Sequence, residues 1–327
     1  MKKTLFAFSL LTSMAGATYG QSSVTVYGVV DLGLKIEDAG SGTVTGIDSG
    51  NQSVSRVGFK GTEDLGNGLK ANFVLEAGFN ADTGSQSDAT RFFNRQSYVS
   101  LAGGFGEVKL GRVQTMVFTN SAVFDPFADT LAGDSVRIFN YGGNRIDNTV
   151  NYSFAAKNGI NGQAAYSFGE VAGNTSASRT VAGAIGYASG PLATVLTYQD
   201  TKDVTGNDSA KTTLIGGNYN FGLLQPFIAY AVNKGPGTLD TRDALLGLKI
   251  NLTSADTIMT SYMQKRDQVI DNADAKQIAI GYTHNLSVRT NLYTSWARLS
   301  NDDNARYQVS AFGKTDKLFN VGIRHKF

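Results

Sequence analysis

Residues 317–327 read K-L-F-N-V-G-I-R-H-K-F and end the chain on an aromatic side chain. Phe319, Val321, Ile323 and Phe327 share one side of this segment, a period of two that is typical of a strand with one apolar face. A closed β-barrel in lipid needs such a strand, because its last strand must pair with its first and leave no open edge in the hydrocarbon. The same pattern suits any amphipathic terminal strand, so this stretch alone leaves both interpretations open.

The N-terminus predicts export from the cytoplasm. Lys2 and Lys3 precede an apolar run from Leu5 to Leu11, and small residues follow as far as Gly20. This order is typical of a secretory signal peptide, and its apolar core is too short to span a bilayer. We predict a signal peptide over residues 1–20, with cleavage after Ala17 as the alternative.

The mature chain, residues 21–327, is predicted to be a single domain of balanced charge. The signal peptide takes two lysines from 29 Lys+Arg and no acid from 27 Asp+Glu, which leaves 27 against 27. This balance argues against a nucleic-acid partner, which would call for a basic excess. The 38 Gly, 14 Tyr and 19 Phe favour many turns joined to aromatic-rich strands, and 4 Pro allow long ladders. With 0 Cys, the exported chain relies on no disulfide.

Short alternating segments follow one another from Val24 onward, and about sixteen of them are candidate strands. Tight turns such as Asp64 to Gly68 alternate with longer polar stretches such as Asp38 to Gln52. Short turns at one end and long loops at the other are typical of outer-membrane barrels, and no mature segment is apolar for long enough to form a membrane helix. A soluble sandwich would show linkers between domains of about 100 residues, which this chain lacks.

Several stretches resemble a known family. Residues 55–71, S-R-V-G-F-K-G-T-E-D-L-G-N-G-L-K-A, resemble the second strand, turn and third strand of Gram-negative general diffusion porins of the beta-proteobacterial and neisserial type. Further similarity lies in N-R-Q-S-Y-V-S-L (94–101), G-G-F-G (103–106), K-L-G-R (109–112), the opening V-T-V-Y-G (24–28) and the ending V-G-I-R-H-K-F (321–327). The resemblance therefore covers the whole mature chain.

The resemblance implies an all-β, 16-stranded antiparallel transmembrane β-barrel in the cell outer membrane. It implies a homotrimer with one water-filled pore per subunit, a third loop from about Gln114 to Asn144 folded into the lumen, and passive diffusion of ions and small hydrophilic solutes. Outer-membrane lipid, lipopolysaccharide and the barrel assembly machinery are the other partners that it implies, with Phe327 as the assembly signal. No cofactor and no metal are expected.

Strand parity and the resemblance together give candidate pore residues. Arg56 and Lys60 lie opposite the apolar Val57 and Phe59, so the two cations should face water. The resemblance places barrel-wall arginines in a pore constriction that faces aspartates of the third loop. The basic wall would consist of Arg56, Arg95 and Arg145, with Arg112 and Arg137 as lesser candidates; the facing acids would be Asp125 and Asp129, with Asp134 as a possible third.

Opposed charge across a narrow opening predicts a transverse field and a moderate preference for anions. Two residues of the third loop bear on the role of Asp125 and on the conformation of the loop tip. Asp125 precedes Pro126 and could instead form a turn. Ala128 stands where the family frequently has Gly, which affects the conformation of the loop tip.

Two other functions are alternatives. A substrate-specific outer-membrane channel would carry an aromatic slide or an extended basic ladder, which the sequence does not establish. An outer-membrane β-barrel enzyme would need a nucleophile with a positioned base, and only His284 and His325 are available as histidine bases. No serine-centred motif accompanies either histidine, so we predict a channel and no enzyme.

Overall fold

One antiparallel sheet closes on itself because its last strand pairs with its first. The computed structural model describes residues 23–139 and 142–327, and the predicted signal peptide lies outside them. Among these residues, no helix is long and apolar enough to cross a membrane. The strands are β1 (Ser23–Asp38), β2 (Thr43–Ser49), β3 (Arg56–Gly66), β4 (Leu69–Asn80), β5 (Ser85–Gln86), β6 (Gln96–Gly103), β7 (Gly106–Gln114), β8 (Arg145–Ala155), β9 (Ile160–Ser167), β10 (Thr180–Ser189), β11 (Leu192–Lys202), β12 (Ser209–Tyr219), β13 (Leu224–Lys234), β14 (Asp240–Asn251), β15 (Asp256–Asp267), β16 (Ala275–Asn285), β17 (Thr290–Asn301) and β18 (Thr315–Lys326).

The eighteen strand segments make a sixteen-stranded wall, as predicted. Two segments, β2 and β3, share one wall position, since β2 pairs with residues 32–38 of β1 and β3 pairs with residues 23–29 of the same strand. The short β5 pairs with only the last two residues of β4. The stretch predicted as a loop over 38–52 therefore contains the strand β2, whose Thr43, Val44, Thr45 and Ile47 are β-branched and favour extended backbone.

The seam between β1 and β18 is paired over its whole length. Its register runs from Val29 opposite Lys326 to Asp38 opposite Lys317. The C-terminal residue extends the ladder: the Gly28 N–H donates to the Phe327 carbonyl and the Phe327 N–H donates to the Gly28 carbonyl, both at 3.1 Å. The Phe327 ring lies on Gly28, where a Cβ would come within 2.3 Å of its Cζ, so this contact requires glycine. The terminal stretch is the closing strand, as predicted.

Side chains alternate between a lipid-facing and a lumen-facing surface. On β16, Ile278 and Ile280 are 46% and 50% exposed on the outer face, whereas Gln277 is buried on the inner face. Apolar side chains that remain exposed in a closed barrel suit hydrocarbon, and inward polar side chains suit a wet lumen. The tight turn predicted over 64–68 is present between β3 and β4, with positive φ at Asn67 and Gly68 that suits a two-residue hairpin.

The third loop, called loop 3 below and described over residues 115–139 and 142–144, folds into the lumen and packs on the wall. It carries the short helices α1 (Met116–Thr119) and α2 (Ser121–Phe124) and a 3₁₀ turn (Ser135–Arg137). Phe124 is fully buried in a cluster with Leu214 and Leu245 of the wall. A Cβ at Gly216 would lie 2.4 Å from the Phe124 Cβ, so glycine lets the loop approach the strand this closely.

Hydrogen bonds tie loop 3 to wall elements that are far apart in sequence. The Asn218 side-chain amide on β12 donates to the Val123 carbonyl at 2.8 Å. The Ala132 N–H donates to Ser295 Oγ on β17 at 3.0 Å, and the Leu131 N–H donates to the carbonyl of Asn51, between β2 and β3, at 3.1 Å. The loop is therefore held at three points around the lumen.

Replacing Phe124 should loosen loop 3 without opening the barrel. We expect Phe124→Ala to cost the docked loop about 3–5 kcal/mol, because the vacated space faces packed side chains of the wall. Amide hydrogen exchange should then show reduced protection over residues 115–139 and unchanged protection of the strands. Phe221→Ala, at a turn residue that is 69% exposed, is the matched control and should leave both regions unchanged. Equal protection of the loop in Phe124→Ala and wild type would contradict this packing.

Candidate functional site: the charged cavity in the lumen

A polar cavity of about 510 Å³ lies between loop 3 and the barrel wall. The wall contributes residues of β1, β2, β3 and β18. One side of the cavity is formed by residues 49–54, which run from the last residue of β2 into the segment before β3. The tip of loop 3, residues 128–131, forms the other. The charged side chains that line it are Lys35, Arg56, Arg95, Arg137 and Arg145 against Asp48, Asp129 and Asp134.

Two of the lining arginines share one buried carboxylate. Arg95 Nε lies 2.8 Å from Glu76 Oε1, and Arg56 Nε lies 3.5 Å from Glu76 Oε2. Antiparallel pairing places these groups together, since Arg56 stands opposite Gly78 on β4 and Glu76 stands opposite Gln96, which follows Arg95. The Tyr27 hydroxyl also donates to Glu76, at 3.0 Å. Glu76 therefore fixes the positions of two guanidinium groups on the wall.

Arg145, the first residue of β8, is held by contacts that leave its charge uncompensated. Its Nε donates to the Arg95 carbonyl at 3.0 Å and its Nη1 to the Asn144 carbonyl at 3.2 Å. The guanidinium lies over the Phe118 ring of loop 3, 4.6 Å from the ring centre. Among the described residues it forms no ion pair with a carboxylate. Of the three guanidinium groups, Arg56 and Arg95 thus share the carboxylate of Glu76, and Arg145 has no carboxylate partner among the described residues.

The acidic side of the cavity differs from what the sequence predicts. Asp129 and Asp134 line the cavity, but Asp125 is fully buried within loop 3 and does not. The Asp125 carboxylate accepts hydrogen bonds from the N–H groups of Phe127 at 2.8 Å and Ser135 at 3.0 Å. It is engaged in holding the turn around Pro126, because buried backbone N–H groups require acceptors. The placement of Asp125 opposite the arginines is therefore corrected.

The three aspartates form a cluster whose oxygens lie within 4.8 Å of one another. Burial raises the pKa of Asp125, Asp129 and Asp134, and the neighbouring carboxylates raise it further for Asp129 and Asp134. Protons therefore neutralise part of the negative charge near neutral pH. Carboxylate oxygens are also the ligands that Ca²⁺ prefers, so the residues of this cluster are those that could hold a cation.

The remaining predicted basic residues lie in three different places. Arg137 lines the cavity from loop 3 and forms an ion pair with Asp316 of the wall. Lys60 lies outside the cavity, with its ammonium 5.3 Å from the centre of the Tyr27 ring. Arg112 also lies outside it, paired with Asp147 and donating to the Asn94 carbonyl at 2.8 Å. The structure thus brings Arg56, Arg95, Arg145, Arg137, Asp129 and Asp134 around one cavity and leaves Lys60, Arg112 and Asp125 off it.

Sequence reasoning missed the bulge of residues 50–55 between β2 and β3. Its Gln52 and Ser53 N–H groups donate to Asp31 Oδ2 at 2.8 and 2.5 Å, and its Asn51 carbonyl accepts from loop 3. The polar run G-N-Q-S-V-S over 50–55 breaks the alternation of the strand and was the available signal. The bulge lines the cavity and contacts the tip of loop 3.

Glu76 was missed as well, although a signal for it exists. It shares the inward parity of Asn72 and Val74 on β4, and a single carboxylate at an inward strand position beside a predicted arginine wall suggests an ion pair. Lys35 was also missed. It lines the cavity from β1, paired with Glu37 at 3.0 Å and Asp48 at 3.2 Å.

Comparison with known proteins agrees with this architecture. The sequence model described as Gram-negative porin matches residues 7–304. Outer membrane porin protein 32 of Delftia acidovorans is 33% identical, over the full length of both chains. The solved anion-selective porin from Comamonas acidovorans is 32% identical, with a TM-score of 0.84 over 94% of this chain and all of that one.

A more distant structure shares the fold alone. OmpT of Vibrio cholerae, solved in a trimer form, is 14% identical, with a TM-score of 0.72 over 94% of this chain and 99% of that one. The closed sixteen-stranded wall, the inward third loop and the family match over residues 7–304 lead to one conclusion. The chain belongs to the Gram-negative porin family of outer-membrane channels.

Proposed function

We propose that the charged cavity is the constriction of a general diffusion channel that prefers anions. The observation that supports this most directly is the charge imbalance of the three wall arginines: Arg56 and Arg95 share the carboxylate of Glu76, and Arg145 has no carboxylate partner among the described residues. A passing anion would meet an excess of positive charge held on rigid strands. The anion-selective porin from Comamonas acidovorans, at 32% identity, supports the same preference. We expect no enzymatic activity and no cofactor.

The acids of loop 3 would oppose this preference less than their number suggests. Because burial and mutual repulsion raise the pKa of Asp129 and Asp134, these side chains would offer less negative charge than their number suggests. The selectivity should still be moderate. Charges about 4 Å apart in water interact by about 1 kcal/mol, and physiological salt screens them over about 8 Å.

The assembly and the remaining partners are also part of the proposal. We infer a homotrimer in outer-membrane lipid and lipopolysaccharide, inserted by the barrel assembly machinery, with residues 1–20 as a cleaved signal peptide and 21–327 as the barrel domain. The trimer form of OmpT supports the subunit number. The seam contact between Phe327 and Gly28 supports a role of the C-terminal aromatic in closing the barrel.

Removing arginine charge from the cavity should reduce anion preference. We expect Arg145→Gln to lower the anion-to-cation permeability ratio by up to roughly fivefold, because one charge close to a passing ion is worth about 1 kcal/mol in water. The triple variant Arg56→Gln, Arg95→Gln, Arg145→Gln should lose most of the preference. Reversal potentials of single channels in planar bilayers under a salt gradient measure both effects.

Arg112→Gln is the matched control for this measurement. It removes the same charge from a wall arginine that lies outside the cavity and pairs with Asp147. Its reversal potential should stay close to that of wild type. The proposal fails if the triple variant keeps the wild-type reversal potential, or if Arg112→Gln shifts it as much as Arg145→Gln does.

The aspartate cluster should make the docking of loop 3 depend on pH. An acid whose pKa is raised in the folded state stabilises that state fully below its ordinary pKa of about 4, and this contribution is lost as the pH rises through the raised value. Loop 3 should therefore be less protected from hydrogen exchange at about pH 9 than at about pH 5, after correction for intrinsic rates.

Asparagine at position 129 should remove most of this dependence. Asp129→Asn keeps the shape of the side chain and cannot ionise, so protection of residues 115–139 at alkaline pH should exceed that of wild type. Asp82→Asn, at an exposed position outside the cluster, is the control and should behave as wild type. A pH dependence that is the same in Asp129→Asn and wild type would refute this account of the cluster.

A further inference from the structure

The lumen between the charged cavity and the short turns carries an excess of positive charge. We call this part of the lumen the turn-side vestibule. Its inward strand positions hold six cations and two acids: Lys60, Lys70, Lys109, Lys249, Arg324 and Lys326 against Asp64 and Glu107. Short turns form the periplasmic end of an outer-membrane barrel, so the vestibule opens toward the periplasm.

Strand alternation places these side chains inside the barrel. On β3, Phe59 is exposed on the lipid face, so its neighbour Lys60 faces the lumen. On β18, the exposed Ile323 likewise sets Arg324 and Lys326 on the inward face. The other members follow the same parity on β4, β7 and β14.

Aromatic rings hold three of these lysines in place. Each ammonium lies over an inward-facing ring, at 5.1 to 5.3 Å from its centre: Lys60 over Tyr27, Lys109 over Tyr98 and Lys249 over Phe227. The face of an aromatic ring attracts a cation but carries no net charge, so the ring positions the ammonium without neutralising it. Because β3 and β14 are far apart around the wall, charge lies on both sides of the vestibule.

The acids of the vestibule compensate only part of this charge. Lys109 is paired with Glu107 at 3.4 Å, and Lys70 stands opposite Asp64 in the register of β3 and β4. The vestibule lysines that form no ion pair, within the part of the chain that the structure describes, are Lys60, Lys249 and Lys326.

The lumen on the long-loop side of the cavity shows a different balance. The cations that the wall and loop 3 present there are each paired with a carboxylate of the chain: Lys35 with Glu37 and Asp48, Arg112 with Asp147, Arg137 with Asp316, and Lys265 with Asp243. Along the inward faces of the described strands, uncompensated positive charge therefore begins at the cavity and continues toward the turns.

We propose that the turn-side vestibule is a second anion-binding station, which loads the constriction from the periplasmic side. This proposal rests on the anion preference proposed above and adds a direction to it. Positive charge that lines one entrance raises the local concentration of anions there and speeds their entry from that side.

The consequence is an asymmetric channel. With equal salt on both sides and no voltage, the fluxes in the two directions are equal, as a passive pore requires. Under a driving voltage, anions that enter from the vestibule reach the constriction faster than anions that enter from the long loops. The asymmetry depends on charge and therefore disappears when salt screens it.

Single-channel currents test this proposal. In about 0.1 M potassium chloride, where charges act over about 10 Å, wild type should carry about twofold more current when the voltage drives anions from the turn end to the loop end than at the opposite voltage. In about 1 M salt, where charges act over about 3 Å, the two currents should be equal.

A cysteine marker gives the orientation of each channel. Val288 is 96% exposed in the turn between β16 and β17, and the chain has 0 Cys. In a Val288→Cys background, a thiol-reactive polyethylene glycol added after the recording alters the conductance only from the chamber that faces the turns.

Two matched variants assign the asymmetry to the vestibule. Lys60→Gln/Lys326→Gln removes two exposed vestibule charges and should abolish most of the asymmetry, whereas Lys60→Arg/Lys326→Arg keeps both charges and should retain it. Lys157→Gln/Arg289→Gln removes two exposed cations from short turns at the same end and should behave as wild type.

Three results would overturn the proposal: equal wild-type currents at both voltages in about 0.1 M salt, an asymmetry of the opposite direction, or a loss in Lys157→Gln/Arg289→Gln as large as that in Lys60→Gln/Lys326→Gln. The reversal potential of the same channels under a salt gradient separates the two proposals. A wild-type channel that prefers anions without asymmetry contradicts the vestibule alone, whereas one that prefers cations contradicts the anion-selective constriction as well.

Discussion

The closure of β1 onto β18 is the constraint on which the rest of the structure depends. In hydrocarbon no backbone N–H or carbonyl can remain without a partner, so the sheet must end where it began. Ten register pairs and the two hydrogen bonds between Gly28 and Phe327 meet this requirement. Once the sheet is closed, each strand has one face in lipid and one in water, which explains why the buried Gln277 and the exposed Ile278 are neighbours on β16.

The proposed constriction combines two kinds of charge. The arginines on the wall hold their charge at all physiological pH values and are positioned by Glu76 and by backbone carbonyls. The aspartates lie on an inserted loop, where burial and proximity raise the pKa of each. The permanent charge is thus on the rigid part of the barrel, and the titratable charge is on the part that depends on packing for its position.

The sequence was sufficient for the features that depend on local pattern. Alternation predicted the strands, and the terminal aromatic and the long interval after Gln114 gained their meaning as closing strand and third loop from the resemblance to porins. Features that depend on register were not accessible. The sharing of Glu76 by Arg56 and Arg95 appears only when strands are aligned. The burial of Asp125 depends on the path of the loop backbone, which strand periodicity does not determine.

The three attachment points of loop 3 have a consequence for the order of folding. The loop bonds to Asn51, Asn218 and Ser295, which are carried by segments more than 70 residues apart along the chain. Its docking surface does not exist until these segments have come together in the closed wall. Docking of loop 3 therefore requires the closed wall, so the element that narrows the lumen depends on contacts that only the complete barrel provides.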